Sequence, residues 1–89
     1  MGELLKLPNI GKTVEEQLND VGIYTKEDLK AVGSKKAWLM IQSIDETACI
    51  HRLLALEGAL KGVKKTMLDD ETKKDFKAFY QTHKKGISK

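Results

Sequence analysis

The stretch Leu7-Pro8-Asn9-Ile10-Gly11-Lys12 combines the residue types that bind an anion through backbone groups. Pro8 fixes its own φ and biases Leu7 away from helix. Asn9 and Gly11 tolerate left-handed conformations, so the chain can reverse sharply here between two helices. Such a turn directs several N–H groups outward at the start of the next helix, where the helix dipole adds partial positive charge, and a phosphate suits that arrangement. Lys6 and Lys12 flank the turn and Thr13 follows it. A second set, Ser34, Lys35 and Lys36, puts a capping hydroxyl and two cations at another expected helix start. Lysines there oppose the dipole, which fits either a bound anion or two solvated charges. Ile10 can point inward as an anchor, so the turn has a second reading in which it only reverses the chain and plugs the core.

Other chemistry finds no constellation. Cys49 and His51, two positions apart on an expected helix, face roughly opposite sides of it and cannot pair as nucleophile and base. Cys49 reads as core, and as the sole cysteine it can form neither a disulfide nor a thiolate cluster within the chain. His83 lies among Thr82, Lys84 and Lys85 and reads as solvated. The acidic neighbours Glu15-Glu16, Asp69-Asp70 and Asp70-Glu71 fall near helix starts, where carboxylates complement the dipole without acid–base work. Glu57 can pair with Lys61 four residues on, or sit half-buried against backbone near the hairpin. The sequence therefore predicts a non-enzymatic chain with no metal and no cofactor.

The elements that position the turn all read as helical. Residues 3–6 predict a short helical turn that docks Leu4, Leu5 and Leu7. After the hairpin, Thr13 and Glu16 can form a capping box ahead of a stripe of Val14, Leu18 and Val21 that stops at Gly22. A helix beginning directly after Gly11 is the other possibility. Thr25 with Asp28 caps a short helix, with Tyr24 stapled onto Leu29, and Gly33 ends it. Ser34 caps a third helix carrying Ala37, Trp38, Met40 or Ile41, and Ile44.

Residues 47–61 read as the central, most buried helix. Cys49, Leu53, Leu56, Leu60 and Val63 recur at helical spacing, and Ala55, Gly58, Ala59 and Gly62 are small enough for close packing. A linker through Lys64, Lys65 and Met67 leads to Asp69 or Asp70, which caps a last helix carrying Phe76, Phe79 and Tyr80. Those rings cover either the core or a partner. Residues 84–89 read as a frayed tail.

The 89 residues suit one small domain, all-α, of five to six helices in an arrangement similar to tandem helix-hairpin-helix (SAM-like) folds. Pro8, Ile10, Trp38, Leu56 and Gly58 are its expected structural anchors. No apolar run approaches membrane-spanning length, and the N-terminus lacks the pattern of a signal peptide, so the cytoplasm is the expected compartment. A net charge of +3 permits nucleic-acid contact without demanding it.

Leu-Pro-Asn-Ile-Gly resembles the helix-hairpin-helix motif, whose backbone amides hold a nucleic-acid phosphate. Asn9 stands at the motif's usual first glycine, where its side chain crowds the phosphate if it faces outward. With Gly22-Ile23, Asp28-Leu29, Val32-Gly33-Ser34 and Ala55-Leu56-Glu57-Gly58-Ala59-Leu60, the chain resembles the TfoX C-terminal domain family over nearly its whole length. The resemblance implies a link to DNA transformation competence and its regulation, and no defined reaction. Regulators of this family can carry a separate N-terminal domain, to which nothing in these residues corresponds.

Two functions follow. In the first, the chain binds nucleic acid weakly and without sequence preference, using Lys6, Asn9, Gly11, Lys12, Thr13, Ser34, Lys35 and Lys36. In the second, it is a protein-interaction or dimerisation module whose partner face is Phe76, Phe79 and Tyr80 or the small-residue side of the central helix, and the hairpin is structural.

Overall fold

Leu4 is fully buried, and the 3-10 turn that carries it, Leu4–Lys6, closes through the Leu7 N–H donating to the Leu4 carbonyl at 3.0 Å. This is the first element of a computed structural model that describes residues 4–45 and 48–83. The expected start of the central helix at Thr47 and the expected frayed tail lie outside the described residues. Leu5, expected to dock with Leu4, is exposed, because three residues of 3-10 turn can bury only one side.

Five α-helices follow among the described residues: α1 (Lys12–Asp20), α2 (Lys26–Val32), α3 (Ser34–Ile44), α4 (Ile50–Lys61) and α5 (Asp70–His83), with a second 3-10 turn, Lys65–Met67, between the last two. No strand occurs among the described residues, so the protein is all-α. None of these helices is long and apolar enough to cross a membrane.

Helix α1 starts directly after Gly11, which is its N-cap with no side-chain bond, so the Thr13–Glu16 capping box does not form. Its C-terminus is closed by the Ile23 N–H donating to the Leu18 carbonyl at 2.8 Å and the Gly22 N–H to the Asn19 carbonyl at 3.0 Å. This double closure turns the chain and brings Ile23 over Leu18, both buried. At α2 the expected capping box is present. Thr25 Oγ1 accepts the Asp28 N–H at 3.0 Å, and the Asp28 carboxylate accepts the Thr25 N–H at 3.3 Å. Tyr24, expected to staple onto Leu29, is instead largely exposed.

A single residue, Gly33, joins α2 to α3. It is at once the last cap of one helix and the first cap of the other, at φ 89° and ψ 153°, a region essentially closed to residues with a Cβ. Because Gly33 takes the cap position, Ser34 is the first residue of α3 and not its cap. Helix α4 begins at Ile50 with Cys49 as its half-buried cap. It buries Leu53, Leu54, Ala55, Leu56, Gly58 and Ala59, and this nearly unbroken run makes it the centre of the domain, as expected.

Trp38 on α3 is fully buried, and its indole N–H donates to the Cys49 carbonyl at 3.2 Å. Phe79 and Tyr80 of α5 meet the indole edge-on at centroid distances of 6.1 and 5.7 Å, and Phe76 is buried beside them. The aromatic face of the last helix therefore packs against the domain, with Phe76 buried and Phe79 and Tyr80 partly so. Gln42 near the end of α3 donates to the His83 carbonyl at 2.9 Å, while Lys35 at its start reaches Asp75 at 2.7 Å. The succession of Lys35–Asp75, Trp38–Phe79 and Gln42–His83 pairs shows that α3 and α5 run parallel. His83, expected to be solvated, stacks on Phe79 at 4.2 Å.

Candidate nucleic-acid interface

The hairpin is built as its residue types suggest. Asn9 has φ 69°, a left-handed conformation, and Ile10 is buried. The Asn9 side chain does not face outward. Its Nδ2 donates to the Val63 carbonyl at 3.0 Å and the Ala55 carbonyl at 3.4 Å, and its Oδ1 accepts the Lys65 N–H at 3.0 Å. One carboxamide thus ties the hairpin to the C-terminal end of α4 and to the chain leaving it.

This contact explains Gly58. A Cβ there would stand 2.5 Å from Asn9 Nδ2 and 2.7 Å from the Val63 carbonyl oxygen, distances no real side chain tolerates. Gly62, at φ 75°, then lets α4 end with the Val63 N–H bonded back to the Gly58 carbonyl at 2.9 Å. The Val63 carbonyl is thereby aimed at Asn9. The two segments richest in family resemblance, Leu7 to Gly11 and Ala55 to Leu60, are two halves of a single joint.

Outside this joint, Gly11, Lys12 and Thr13 are exposed at the head of α1, and Lys6 is exposed on the turn before it. No side chain caps α1, so its first-turn N–H groups have neither an intrahelical nor a capping partner. Gly11 has an ordinary extended conformation, φ −97° and ψ −176°, and a Cβ on it would meet nothing within 4 Å. Unlike Gly58, its lack of a side chain answers no contact inside the protein. It keeps the backbone open to a group approaching from outside. Glu15 is buried and Glu16 is exposed four residues after Lys12, so this face carries a carboxylate beside its lysines.

The second expected cation set comes apart. Ser34 is buried, and its hydroxyl donates to Glu57 Oε1 at 2.7 Å. Glu57 holds Lys61 at 3.1 Å through its other oxygen, so it joins the expected ion pair while half-buried, and its further partner is a hydroxyl rather than backbone. Lys35 is engaged by Asp75 and lies 5.0 Å from the centroid of the Phe76 ring and 5.3 Å from that of Phe79. Ser34 and Lys35 thus both have partners within the protein, Glu57 and Asp75. Lys36 alone of that set is exposed without an ion pair among the described residues.

The structure also places residues that sequence reasoning passed over. Arg52 Nη1 donates to Gln17 Oε1 at 2.8 Å and meets Asp45 Oδ2 at 3.1 Å, while Gln17 donates to the same Asp45 oxygen at 2.7 Å. This polar knot binds α1, the end of α3 and the start of α4. The available signal was that Arg52 is the sole arginine of the chain, and a planar guanidinium is the cation suited to several partners at once. Lys64 and Lys65, read as linker, are carried to the hairpin by the bond between Asn9 and the Lys65 N–H.

Comparison with known proteins agrees with the fold. The model of the TfoX C-terminal domain family matches residues 1–80. An uncharacterized protein from Listeria monocytogenes, solved in a triclinic crystal form, is 46% identical with a TM-score of 0.87, the match covering 89% of this chain and 90% of that one. A protein of unknown function from the same organism, in a tetragonal form, is 44% identical with a TM-score of 0.84, covering 92% and 98%. No curated protein matches the chain.

Proposed function

We propose, for a chain that belongs to the TfoX C-terminal domain family, that it is a small non-enzymatic module holding nucleic-acid backbone weakly and without sequence preference at the hairpin. The family's link to transformation competence puts DNA first among partners. The observation that carries the reading is the head of α1: an uncapped helix start whose N-cap, Gly11, opens onto free space, with Lys12 and Lys6 beside it. Phosphate oxygens accept from such amides, and the dipole and lysines add charge. Asn9 supports the reading because its carboxamide, turned inward, leaves the approach clear. No side chain at this face is set to read base edges, so sequence preference is absent. The alternative, an interaction or dimerisation module, loses its aromatic surface to the contact with Trp38.

The test is titration of duplex and single-stranded DNA into the protein over a range of salt. Binding is expected with a dissociation constant of about 10⁻⁴ to 10⁻⁶ M and steep loss with added salt. Lys12→Glu should weaken it markedly while leaving the helical signal intact. Absence of binding at low salt by folded protein would make the hairpin purely structural.

A further inference from the structure

We infer that Lys64 and Lys65 form the second cationic pair of the nucleic-acid interface, in the place the sequence assigned to Lys35 and Lys36. The inference rests on the hairpin reading above and extends it to a second element. Three observations support it. The Asn9 carboxamide holds the Val63 carbonyl just before this pair and the Lys65 N–H within it, which ties the loop to the hairpin. Lys64 is exposed and Lys65 half-buried, and neither makes an ion pair among the described residues. By contrast, Lys61, just before the pair, is held by Glu57, and Lys35 of the second expected set is held by Asp75. Lys64 and Lys65 thus join Lys6 and Lys12 as lysines without an ion pair near the contact between the hairpin and the chain leaving α4.

The partner this fits is a run of phosphates rather than a single anion. Two lysines at the hairpin meet one part of a polyanionic strand while the loop's two lysines meet the next. The two pairs come from separate segments joined through Asn9, so a strand lying across both would be held in a fixed direction relative to α1.

Counterion release makes the inference measurable, because each phosphate neutralised contributes about −0.9 to the slope of log affinity against log salt. Binding of a short mixed-sequence duplex to the full chain is expected to have a slope of about −4. The double variant Lys64→Gln, Lys65→Gln should lower its magnitude to about 2. A control with the same loss of charge, Lys74→Gln with Lys77→Gln on the exposed side of α5, should leave the slope unchanged. Circular dichroism would confirm that each variant is folded. If the natural chain binds but the loop variant keeps its slope, or if the control lowers it equally, the loop assignment is overturned while the hairpin reading stands. If the folded natural chain does not bind at all, the hairpin reading falls and the loop assignment falls with it.

Discussion

Asn9 satisfies three polar groups with one side chain, and it can do so because its backbone accepts a left-handed turn and its partner helix offers no Cβ at Gly58. Each residue restricts the other. Alanine at position 58 would ordinarily favour a helix by about 1 kcal/mol over glycine. Here it must push aside the Asn9 amide and the Val63 carbonyl, and overpacking of that kind costs about 1–3 kcal/mol. Gly58→Ala is therefore expected to lower stability in denaturant melts. The loss should shrink in an Asn9→Ala background, where the nearest of the clashing atoms is gone but the Val63 carbonyl stays. Equal losses in both backgrounds would mean that the two residues do not share a joint.

Among the elements, α5 depends most on the rest of the domain. Its helix propensity is unremarkable, and what holds it is the parallel seam with α3: an ion pair at one end, rings against Trp38 in the middle and a hydrogen bond from Gln42 at the other. The exposed Lys35–Asp75 pair contributes little by itself. Burial of Phe76 contributes most, so Phe76→Ala should cost about 3–5 kcal/mol by denaturant titration, and a loss below about 1 kcal/mol would show that α5 is not integral.

The same helix carries a pH-dependent cap. Asp69 accepts the Thr72 N–H at 2.8 Å. Hydrogen bonds from Thr72, its hydroxyl foremost and then its N–H, hold the Asp69 carboxyl below its ordinary value, with Lys61 adding to the effect. Since the folded value lies below the unfolded one, this contribution is fully present above about pH 4 and is lost as pH falls through the folded value. Urea midpoints measured from about pH 5 down to about pH 2 should fall less steeply in Asp69→Asn than in the natural chain. Parallel curves would remove Asp69 from the account.

At the scale of the whole molecule, α4 is fastened at both ends by polar joints built from distant segments. Asn9 closes its C-terminal end, and the Gln17–Asp45–Arg52 knot closes its start. Between them Leu53, Leu56 and Ala59 supply an apolar middle that by itself would allow helices to slide or rotate. Arg52→Ala removes the hydrogen bond to Gln17 and the ion pair with Asp45, both partly buried, and is expected to cost about 1–3 kcal/mol. Arg52→Lys should recover only part of it, because an ammonium cannot reproduce the guanidinium's spread of donors. Full recovery by lysine would mean that charge alone matters at this end of the helix.

Much of the architecture is local and was legible for that reason. The Thr25–Asp28 capping box, the stops at Gly22 and Gly62, the cap at Asp69 and the reversal at Pro8-Asn9 each depend on residues within a few positions of one another. The sequence by itself therefore determined an all-helical domain, its order of helices, the central place of α4 and the family. The candidate site was only half legible. Ser34 with Glu57, Lys35 with Asp75 and the Lys65 N–H with Asn9 are 23, 40 and 56 positions apart. Whether a serine caps or fastens, and whether a lysine is free or neutralised, is decided by which helix arrives beside it. Only the tertiary structure turned Asn9 inward, buried Ser34 against Glu57, set Lys35 against Asp75, and brought the Lys65 backbone to the hairpin. A polar side chain's direction follows from the nearest unsatisfied partner, and for these residues that partner exists only once α3, α4 and α5 have packed.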